Sequence, residues 1–291
     1  MPTSIPHQIW ILICRNSLRG LRDPGYLRLR AISSVFMSVI LGFFFLQLDW
    51  SQAGAQSRVG LIGLFAILMI FNTASAIAVS FPLDKVLFVR DRANDMYTIG
   101  AYYLALVLVE LPSNLLFPFI GTTIIYWMAG MQQGVDKYFE FVIFPMLMAC
   151  TGAAAGMCVG CSVNTVQTAA ALLPLVCVFF ILSSGFFVVL NQIPVWLRWI
   201  HYISPVRYAF EAMMYIVFEG QPLYCTPQEM SQNGTCPLTS GDDLLAQYGF
   251  SDLGSSIWVE NIGILIGLYV GFSFVAYVFL VYFDYKINKN K

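Results

Sequence analysis

Residues 59–81 read VGLIGLFAILMIFNTASAIAVSF, a run of 23 residues without one charged side chain. An α-helix rises about 1.5 Å per residue, so a helix of this length can cross the roughly 30 Å hydrocarbon core of a bilayer. Bulky apolar residues follow one another and do not alternate with polar ones, which favours a helix over a barrel strand. This stretch therefore predicts a transmembrane helix.

Five other apolar stretches have a similar length and composition. They predict further spans at 28–48, 99–129, 138–161, 167–189 and 257–283. Of the 291 residues, 58% are hydrophobic and 11% are charged, whereas soluble domains carry roughly 25% charged residues. We predict an all-α, polytopic membrane domain with six transmembrane helices over residues 28–291. The net charge of -1 offers no basic surface, so we expect no nucleic-acid partner.

The fifteen lysines and arginines are divided unequally between alternate sides of the predicted spans. Eleven lie before or at the start of the first span, between the second and third spans, or after the sixth. The other side holds only Arg58, Lys137, Arg198 and Arg207. Because cytoplasmic loops carry an excess of basic residues, both termini are predicted to be cytoplasmic, with residues 190–256 outside the cell. We expect a plasma-membrane protein.

Residues 1–27 are predicted to form a cytoplasmic helix followed by a turn. Arg15, Arg19 and Arg22 fall at positions i, i+4 and i+7, on one helical face, and apolar residues occupy the other faces. This pattern is typical of an amphipathic helix on a membrane surface. The sequence Asp-Pro-Gly at 23–25 predicts a break before the first span.

The predicted extracellular segment begins with an apolar part and continues with a polar one. Pro194 and Pro205 interrupt the apolar part, Ile193–Phe218, which is rich in tryptophan and tyrosine. Such aromatic density predicts re-entrant or interfacial helices rather than a seventh span.

Two cysteines and a glycosylation motif lie in the polar part. Cys225 and Cys236 are eleven residues apart on the predicted oxidising side, so we predict a disulfide between them. The sequon Asn233-Gly234-Thr235 lies between them and predicts that Asn233 is glycosylated. Both modifications require the same compartment, which supports the orientation.

Glycines, cysteines and histidines in the predicted spans and near them are candidates for packing or metal-binding roles. Glycines recur every fourth residue at Gly152, Gly156 and Gly160 and again at Gly263, Gly267 and Gly271. This spacing predicts close helix packing. Cys158 and Cys161 have C-x-x-C spacing, but no second cysteine pair or histidine lies near them, so we favour packing over a metal or redox site. His7 and His201 also lack ligand partners at useful spacing, and no metal site is predicted.

Glu110 is the acidic residue near the middle of a predicted span. A charged carboxylate at that depth costs several kcal/mol. One interpretation is a proton or ion coupling site. The alternative is a polar or ion-paired contact inside the helix bundle, or a protonated carboxyl group. No histidine or second carboxylate shares the predicted spans at comparable depth, which weakens a proton relay.

The loop from Asp84 to Tyr97 mixes both charge signs with apolar residues at helical spacing. It could be a solvated loop. The other interpretation is a helix that docks a cytoplasmic partner.

Six short motifs, taken in order, resemble the transmembrane domain of the G subfamily of ABC transporters, the White and breast-cancer-resistance-protein type. They are Phe88-Val89-Arg90-Asp91-Arg92 with Tyr97, Glu110-Leu111-Pro112, Ser184-Gly185-Phe186-Phe187, Ile193-Pro194 with Trp196, Leu197 and Trp199, Tyr202-Ile203-Ser204 with Arg207-Tyr208 and Phe210-Glu211, and the Cys225–Cys236 loop with its sequon. The resemblance covers essentially the whole chain.

The resemblance implies roles for particular positions. The leading helix would be the connecting helix, and a coupling helix within Leu87–Tyr97 would touch a nucleotide-binding domain. The matching coupling positions are Phe88, Arg90, Asp91, Arg92, Asn94 and Tyr97. The family's substrate cavity lies between spans two and five of each half, at positions matching Phe71, Asn72, Val178 and Ile181. Phe186 and Phe187 match an outer plug.

The resemblance also implies partners. Family members work as homo- or heterodimers in contact with membrane lipids, and they move hydrophobic small molecules. The sequence has no G-x-x-x-x-G-K-[ST] motif, so ATP and Mg would bind a separate nucleotide-binding domain, in cis on a longer chain or in trans. No cofactor is expected on this chain, and no enzymatic activity of its own.

Three functions remain open from the sequence. The first is the membrane-spanning half of an ATP-driven exporter of lipids, sterols or other amphipathic compounds. The second is an ion-coupled carrier that uses Glu110. The third is a truncated, non-transporting subunit that regulates full-length relatives.

Overall fold

The computed structural model is built from α-helices. It describes residues 4–22, 24–94, 96–131, 134–187, 196, 198–225, 236, 238–250 and 257–289. The helices are α1 (Ile5–Arg22), α2 (Pro24–Phe44), α3 (Gln52–Ala93), α4 (Ile99–Met128), α5 (Val135–Ser162), α6 (Val166–Leu182), α7 (Arg198–Ile203), α8 (Pro205–Phe218), α9 (Gly241–Gln247) and α10 (Ile257–Lys289). Within the described residues, extended pairing is limited to two isolated bridges, Ser51 with Tyr224 and Pro222 with Ser240.

Five described helices, α2, α3, α4, α5 and α10, are long and apolar enough to cross a membrane. The apolar helix α6 is shorter and matches the fifth predicted span. The predicted class, an all-α polytopic membrane protein, is confirmed.

The first and fifth predicted spans have different ends in the structure. Helix α2 begins at Pro24, because proline fits the first turn of a helix and its missing N–H needs no partner there. Helix α6 ends at Leu182 rather than at 189, and Gly185 follows with a positive φ of 85°, a conformation that glycine adopts without steric cost.

The second predicted span is part of a much longer helix. Helix α3 has 42 residues, with Pro82 inside it. At about 1.5 Å per residue it is about twice as long as the hydrocarbon core is thick. Its start is fixed by Ser51, whose hydroxyl accepts a hydrogen bond from the Gly54 amide at 3.1 Å. Its other end continues through the region that the sequence treats as a separate loop or docking helix.

Helix α5 lies centrally and packs against α3, α4, α8 and α10. The glycine seam on α5 is confirmed: methyl groups added at Gly152, Gly156 or Gly160 would overlap atoms of α3. The seam on α10 differs: methyl groups added at Gly263, Gly267 or Gly271 would have no other described helix within 4 Å. The small residues on α5 therefore let two backbones approach closely, and this contact holds α3 against the middle of the bundle.

Candidate docking end and substrate cavity

The bundle has two chemically different ends. We call the first the α1 end: it contains α1, the C-terminal ends of α3, α5 and α10, and the N-terminal ends of α4 and α6. The second, the disulfide end, contains the opposite helix ends with α7, α8, α9 and the segment around Cys225.

Asp91 lies at the centre of the α1 end. Its carboxylate accepts a hydrogen bond from Arg15 Nη1 at 2.9 Å and another from the Tyr97 hydroxyl at 3.3 Å. Asp91 is 6% exposed. Burial and the neighbouring Asp91 charge raise the pKa of Tyr97 to about 12. Tyr97 therefore keeps its proton at neutral pH and remains a donor. Burial alone would lower the pKa of Arg15, but its bonds to Asp91 and Tyr97 raise it.

Arg92 joins α3 to the end of α10. Its Nε and Nη2 atoms donate to the two carboxylate oxygens of Asp284 at 3.2 and 3.1 Å, and Nη1 donates to the Tyr97 carbonyl at 3.0 Å. Two parallel hydrogen bonds fix orientation as well as distance. A third ion pair, Arg19 with Asp84 at 2.7 Å, ties α1 to the same stretch of α3.

Lys85 is a cation of the α1 end that lies inside the bundle, with an exposed fraction of 4%. Its Nζ donates to the Cys161 carbonyl at 3.0 Å, the Val163 carbonyl at 2.9 Å and Asn164 Oδ1 at 3.2 Å. The first two carbonyls lie at the C-terminal end of α5, where backbone acceptors lack helical partners. The Phe283 ring lies 3.6 Å from Nζ. Lys85 thus joins α3, α5 and α10.

An aromatic cluster lies beneath these ion pairs. Phe88 is fully buried, with its ring 4.9 Å from that of Tyr102, and Tyr97 stacks on Tyr102 at 5.4 Å. Leu12 of α1 is buried in the same cluster. The apolar side of α1 therefore packs on the protein, while Trp10 remains 65% exposed.

The predicted coupling positions divide into two groups. Phe88, Asp91, Arg92 and Tyr97 lie inside the α1 end and bind other helices. Arg90 and Asn94 face outward, and the Arg90 side chain is 73% exposed. Leu83 and Val86 share that outer face with exposed fractions of 62% and 69%. An exposed strip of two apolar residues and one arginine is a surface suited to a protein partner. We call Leu83, Val86, Arg90 and Asn94 the α3 strip.

Phe71 and Asn72 line a cavity of about 210 Å³ between α2 and α3. The other two predicted cavity residues, Val178 and Ile181, belong to α6 and do not line it. Val178 is 47% exposed. The single chain thus brings half of the predicted set together.

The predicted plug residues form an aromatic pair near the disulfide end. The rings of Phe186 and Phe187 are 4.7 Å apart, and Phe186 also meets Phe210 of α8 at 5.6 Å. Phe186 lies against Gly63 so closely that a methyl group there would overlap the ring. Phe187 is 57% exposed. The pair closes the bundle between α3 and α8 and leaves one ring free to contact another molecule.

Glu110 has an ionic partner that sequence reasoning missed. Arg30 Nη1 donates to Glu110 Oε2 at 3.1 Å, and Arg30 also binds Ser113 and Asn114 of α4. Arg30 is 6% exposed. Arg30 is the third residue of the predicted first span, and a basic residue within a span was the signal that could have indicated a buried partner. The ion-paired interpretation of Glu110 describes the geometry found here.

The disulfide end also contains a buried cation that sequence reasoning placed in a loop. Arg58 is fully buried within α3. It donates to the backbone carbonyls of Leu48, Asp49 and Gly130, and its guanidinium lies 3.9 Å from the Trp50 ring centroid. Arg58 therefore binds the α2–α3 connection and the α4–α5 connection to the start of α3.

The cysteines form one disulfide and several buried or half-buried thiols. Cys225 and Cys236 are joined by a disulfide, whereas Asn233 lies outside the described residues. Cys158 donates to the Phe272 carbonyl at 2.9 Å and Cys161 is buried. Within the described part of the chain, no cluster of three His, Cys, Asp or Glu residues could hold a metal.

His201 is buried in α7, with Nδ1 2.7 Å from the Ser183 carbonyl. Burial and the charge of Arg207 lower its pKa to about 4. His201 is therefore a neutral structural residue at physiological pH, and it joins the end of α6 to α7. Of Ile193–Phe218, the described part forms α7, the buried helix α8 and Trp196, which is 73% exposed.

Comparison with known proteins adds independent information. Residues 7–218 match the family model of the ABC-2 type transporter. ABC transporter G family member 1 of Dictyostelium discoideum is 30% identical over 94% of this chain and 34% of its own length. Protein white of Ceratitis capitata is 30% identical over 94% of this chain and 40% of its own. A mouse broad substrate specificity ATP-binding cassette transporter is 27% identical over 96% and 43%. The chain thus spans less than half the length of these relatives.

Proposed function

Since the chain belongs to the ABC-2 type transporter family, we propose that it is the membrane-spanning half of an ATP-driven exporter of lipids, sterols or other hydrophobic compounds. ATP and Mg would bind a nucleotide-binding domain, supplied in cis by a longer chain or in trans by a partner. The working unit would be a homo- or heterodimer of such halves.

The arrangement of the α1 end is the observation that carries this proposal. Helix α1 and the ends of α3 and α10 are joined by the pairs Arg15–Asp91, Arg19–Asp84 and Arg92–Asp284. Lys85 extends the connection to α5. A force on the α3 strip would therefore reach four helices together.

The mechanism uses α3 as a lever. Closure of ATP-bound partner domains would press on the α3 strip and shift the equilibrium between an inward-open and an outward-open state. Because α3 is one continuous helix that also lines the cavity, motion at Arg90 would change the surroundings of Phe71 and Asn72. Substrate would then leave past Phe186 and Phe187. We assign Val178 and Ile181 to the cavity formed with a second half.

The proposal includes an orientation. The α1 end would face the cytoplasm, with residues 1–27 as the connecting helix and 28–291 as the membrane domain. The disulfide end would then lie outside the cell at the plasma membrane, where Asn233 could receive a glycan. The ion-coupled alternative gains no support from Glu110, whose carboxylate is occupied by Arg30.

The proposal is tested by reversing one charge on the α3 strip. Arg90→Glu in a transporter assembled with a G-subfamily nucleotide-binding domain should reduce ATP-dependent efflux of a fluorescent hydrophobic compound at least tenfold. The matched control is Lys286→Glu, an exposed basic residue of the same end. Full efflux by Arg90→Glu, with surface expression equal to the wild type, would refute the docking role.

A further inference from the structure

The cavity between α2 and α3 has a chemical asymmetry that its family match does not explain. It lies near the middle of both membrane helices, with a volume of about 210 Å³. Its polar lining residues are Ser33, Ser34, Ser38, Asn72 and Ser75, and its apolar lining residues are Met37, Leu41, Phe65, Leu68, Met69 and Phe71. Four serine side chains thus line a cavity within the membrane-spanning part of two helices, where lipid contact would favour apolar residues.

Each of the four serine hydroxyls already donates its proton to the backbone. Ser33 and Ser75 donate to the carbonyl three residues earlier, at 3.0 Å in both cases. Ser38 donates to the carbonyl four residues earlier at 2.8 Å, and Ser34 donates across to Phe117 of α4 at 3.2 Å. A hydroxyl has one proton and two acceptor lone pairs. The serine oxygens can therefore offer a ligand only acceptor sites.

The cavity favours a neutral donor over a cation. None of the described residues that line it is a carboxylate, so a buried ammonium group would lack a counter-charge there. A hydroxyl group needs only one acceptor for its proton. The amide of Asn72, also in the lining, can supply both a donor and an acceptor.

The size and opening of the cavity indicate how such a ligand would lie. Whole drug-sized ligands occupy pockets of about 300–1,000 Å³, which is more than the 210 Å³ found here. Met37 and Phe71 at the edge are 44% and 40% exposed. The polar end of a molecule can therefore enter while its apolar remainder lies along these two side chains.

We propose that this cavity is a subsite for the hydroxyl end of an otherwise apolar substrate, recognised by the acceptor oxygens of Ser33 and Ser75. Ser34 and Ser38 are buried and their hydroxyls lie against α4. The proposal rests on the proposed function, because the bound molecule is taken to be the exported one. It adds a preference for hydrogen-bond donors to a pocket that otherwise selects by shape and hydrophobicity.

Binding of two matched probes tests the preference without ATP or transport. The probes are pyrenebutanol and its methyl ether, which differ in a single donor proton. The purified chain in nanodiscs would be titrated with each, and energy transfer from its tryptophans measured against protein-free nanodiscs. One net hydrogen bond corresponds to about fivefold tighter binding of the alcohol. Equal affinities for the two probes would overturn the proposal.

A double variant locates the preference. Ser33→Ala with Ser75→Ala removes two acceptors whose own bonds stay within one helix, so helix packing is preserved. The ratio of the affinity for the alcohol to the affinity for the ether should fall towards one, and the affinity for the ether should not change. Ser80→Ala is the control, because Ser80 makes the same bond on α3, 3.2 Å to the Ile77 carbonyl, outside the cavity. A preference that persists in the double variant would refute the subsite. ATP-dependent efflux is measured separately, so failure of the exporter proposal remains distinguishable.

Discussion

The two ends of α3 hold their cations in opposite ways. At the disulfide end, Arg58 is fully buried and binds three backbone carbonyls. At the α1 end, Arg15 and Arg19 bind the carboxylates of Asp91 and Asp84 while 46% and 58% of their own side chains stay exposed.

This difference separates a fixed end from an adjustable one. If a buried guanidinium moves away from its carbonyl acceptors, several buried polar groups lose their hydrogen-bond partners at once. This loss costs several kcal/mol. The Arg19–Asp84 pair, in which both side chains are partly exposed, can be replaced by water at a cost of about 0–1 kcal/mol. The α1 end can therefore rearrange while the disulfide end keeps α3 in register, as a lever requires.

Removal of the Arg58 side chain at the disulfide end should have the largest effect on stability. Arg58→Ala leaves the carbonyls of Leu48, Asp49 and Gly130 without a donor, and we expect a loss of about 3–5 kcal/mol of folding free energy. Thermal unfolding in nanodiscs would show this as a melting temperature lower by several degrees. Arg22→Ala, at an exposed arginine, should leave it unchanged. An unchanged melting temperature in Arg58→Ala would remove the distinction between the ends.

Lys85 sharpens the comparison because it belongs to the α1 end but is held like Arg58. Lys85→Met keeps the length of the side chain and removes the donor to the Cys161 and Val163 carbonyls. We expect a loss of about 2–3 kcal/mol, measured in the same unfolding assay. A loss of folding free energy smaller than that of an exposed ion pair would mean that burial does not determine how much these cations stabilise the fold.

The disulfide end should also respond to pH. His201 has a pKa of about 4 in the folded protein, against about 6.5 when unfolded. The neutral ring contributes fully above pH 6.5, and this stability is lost as the pH falls towards 4, because the unfolded chain binds the proton more tightly. The melting temperature should drop between pH 7 and pH 5, corresponding to about 2 kcal/mol. His201→Gln should flatten that slope, and an unaltered slope would contradict the assignment.

The smallest effect is expected at the adjustable end. A double-mutant cycle of Arg19→Ala and Asp84→Ala should give a coupling energy of about 0.2–1 kcal/mol, since both side chains are partly exposed. The unfolding assay supplies the four melting curves. A coupling above 2 kcal/mol would show that this end is as rigid as the other.

Helix positions were predictable because the length of an apolar run is a local property of the sequence. The continuation of α3 through Pro82 to Ala93 could not be predicted. The charged residues there suggested a solvated loop or a separate docking helix, whereas their partners lie on α1 and α10. Arg30, Arg58 and Lys85 were missed as buried residues for the same reason. Their partners lie on other helices or connections, and some are backbone carbonyls, which no side-chain pattern reveals.

The serine-lined cavity shows the same limit. The family resemblance implied Phe71 and Asn72 as cavity residues. Ser33, Ser34 and Ser38 belong to α2, and only the packing of α2 on α3 brings them to the same cavity. The hydrogen-bond state of each hydroxyl also depends on helix geometry. Residue type alone could not have predicted that these serine hydroxyls have only acceptor sites left.

The central claim is that a nucleotide-binding domain docks on the α3 strip. It is tested most directly by placing a photo-crosslinking amino acid at Val86 or at Val259, two exposed valines at opposite ends of the bundle. With the assembled transporter, position 86 should form a covalent adduct with the nucleotide-binding domain, and position 259 should not. An adduct from position 259, or none from position 86 in a transporter that still hydrolyses ATP, would contradict the account.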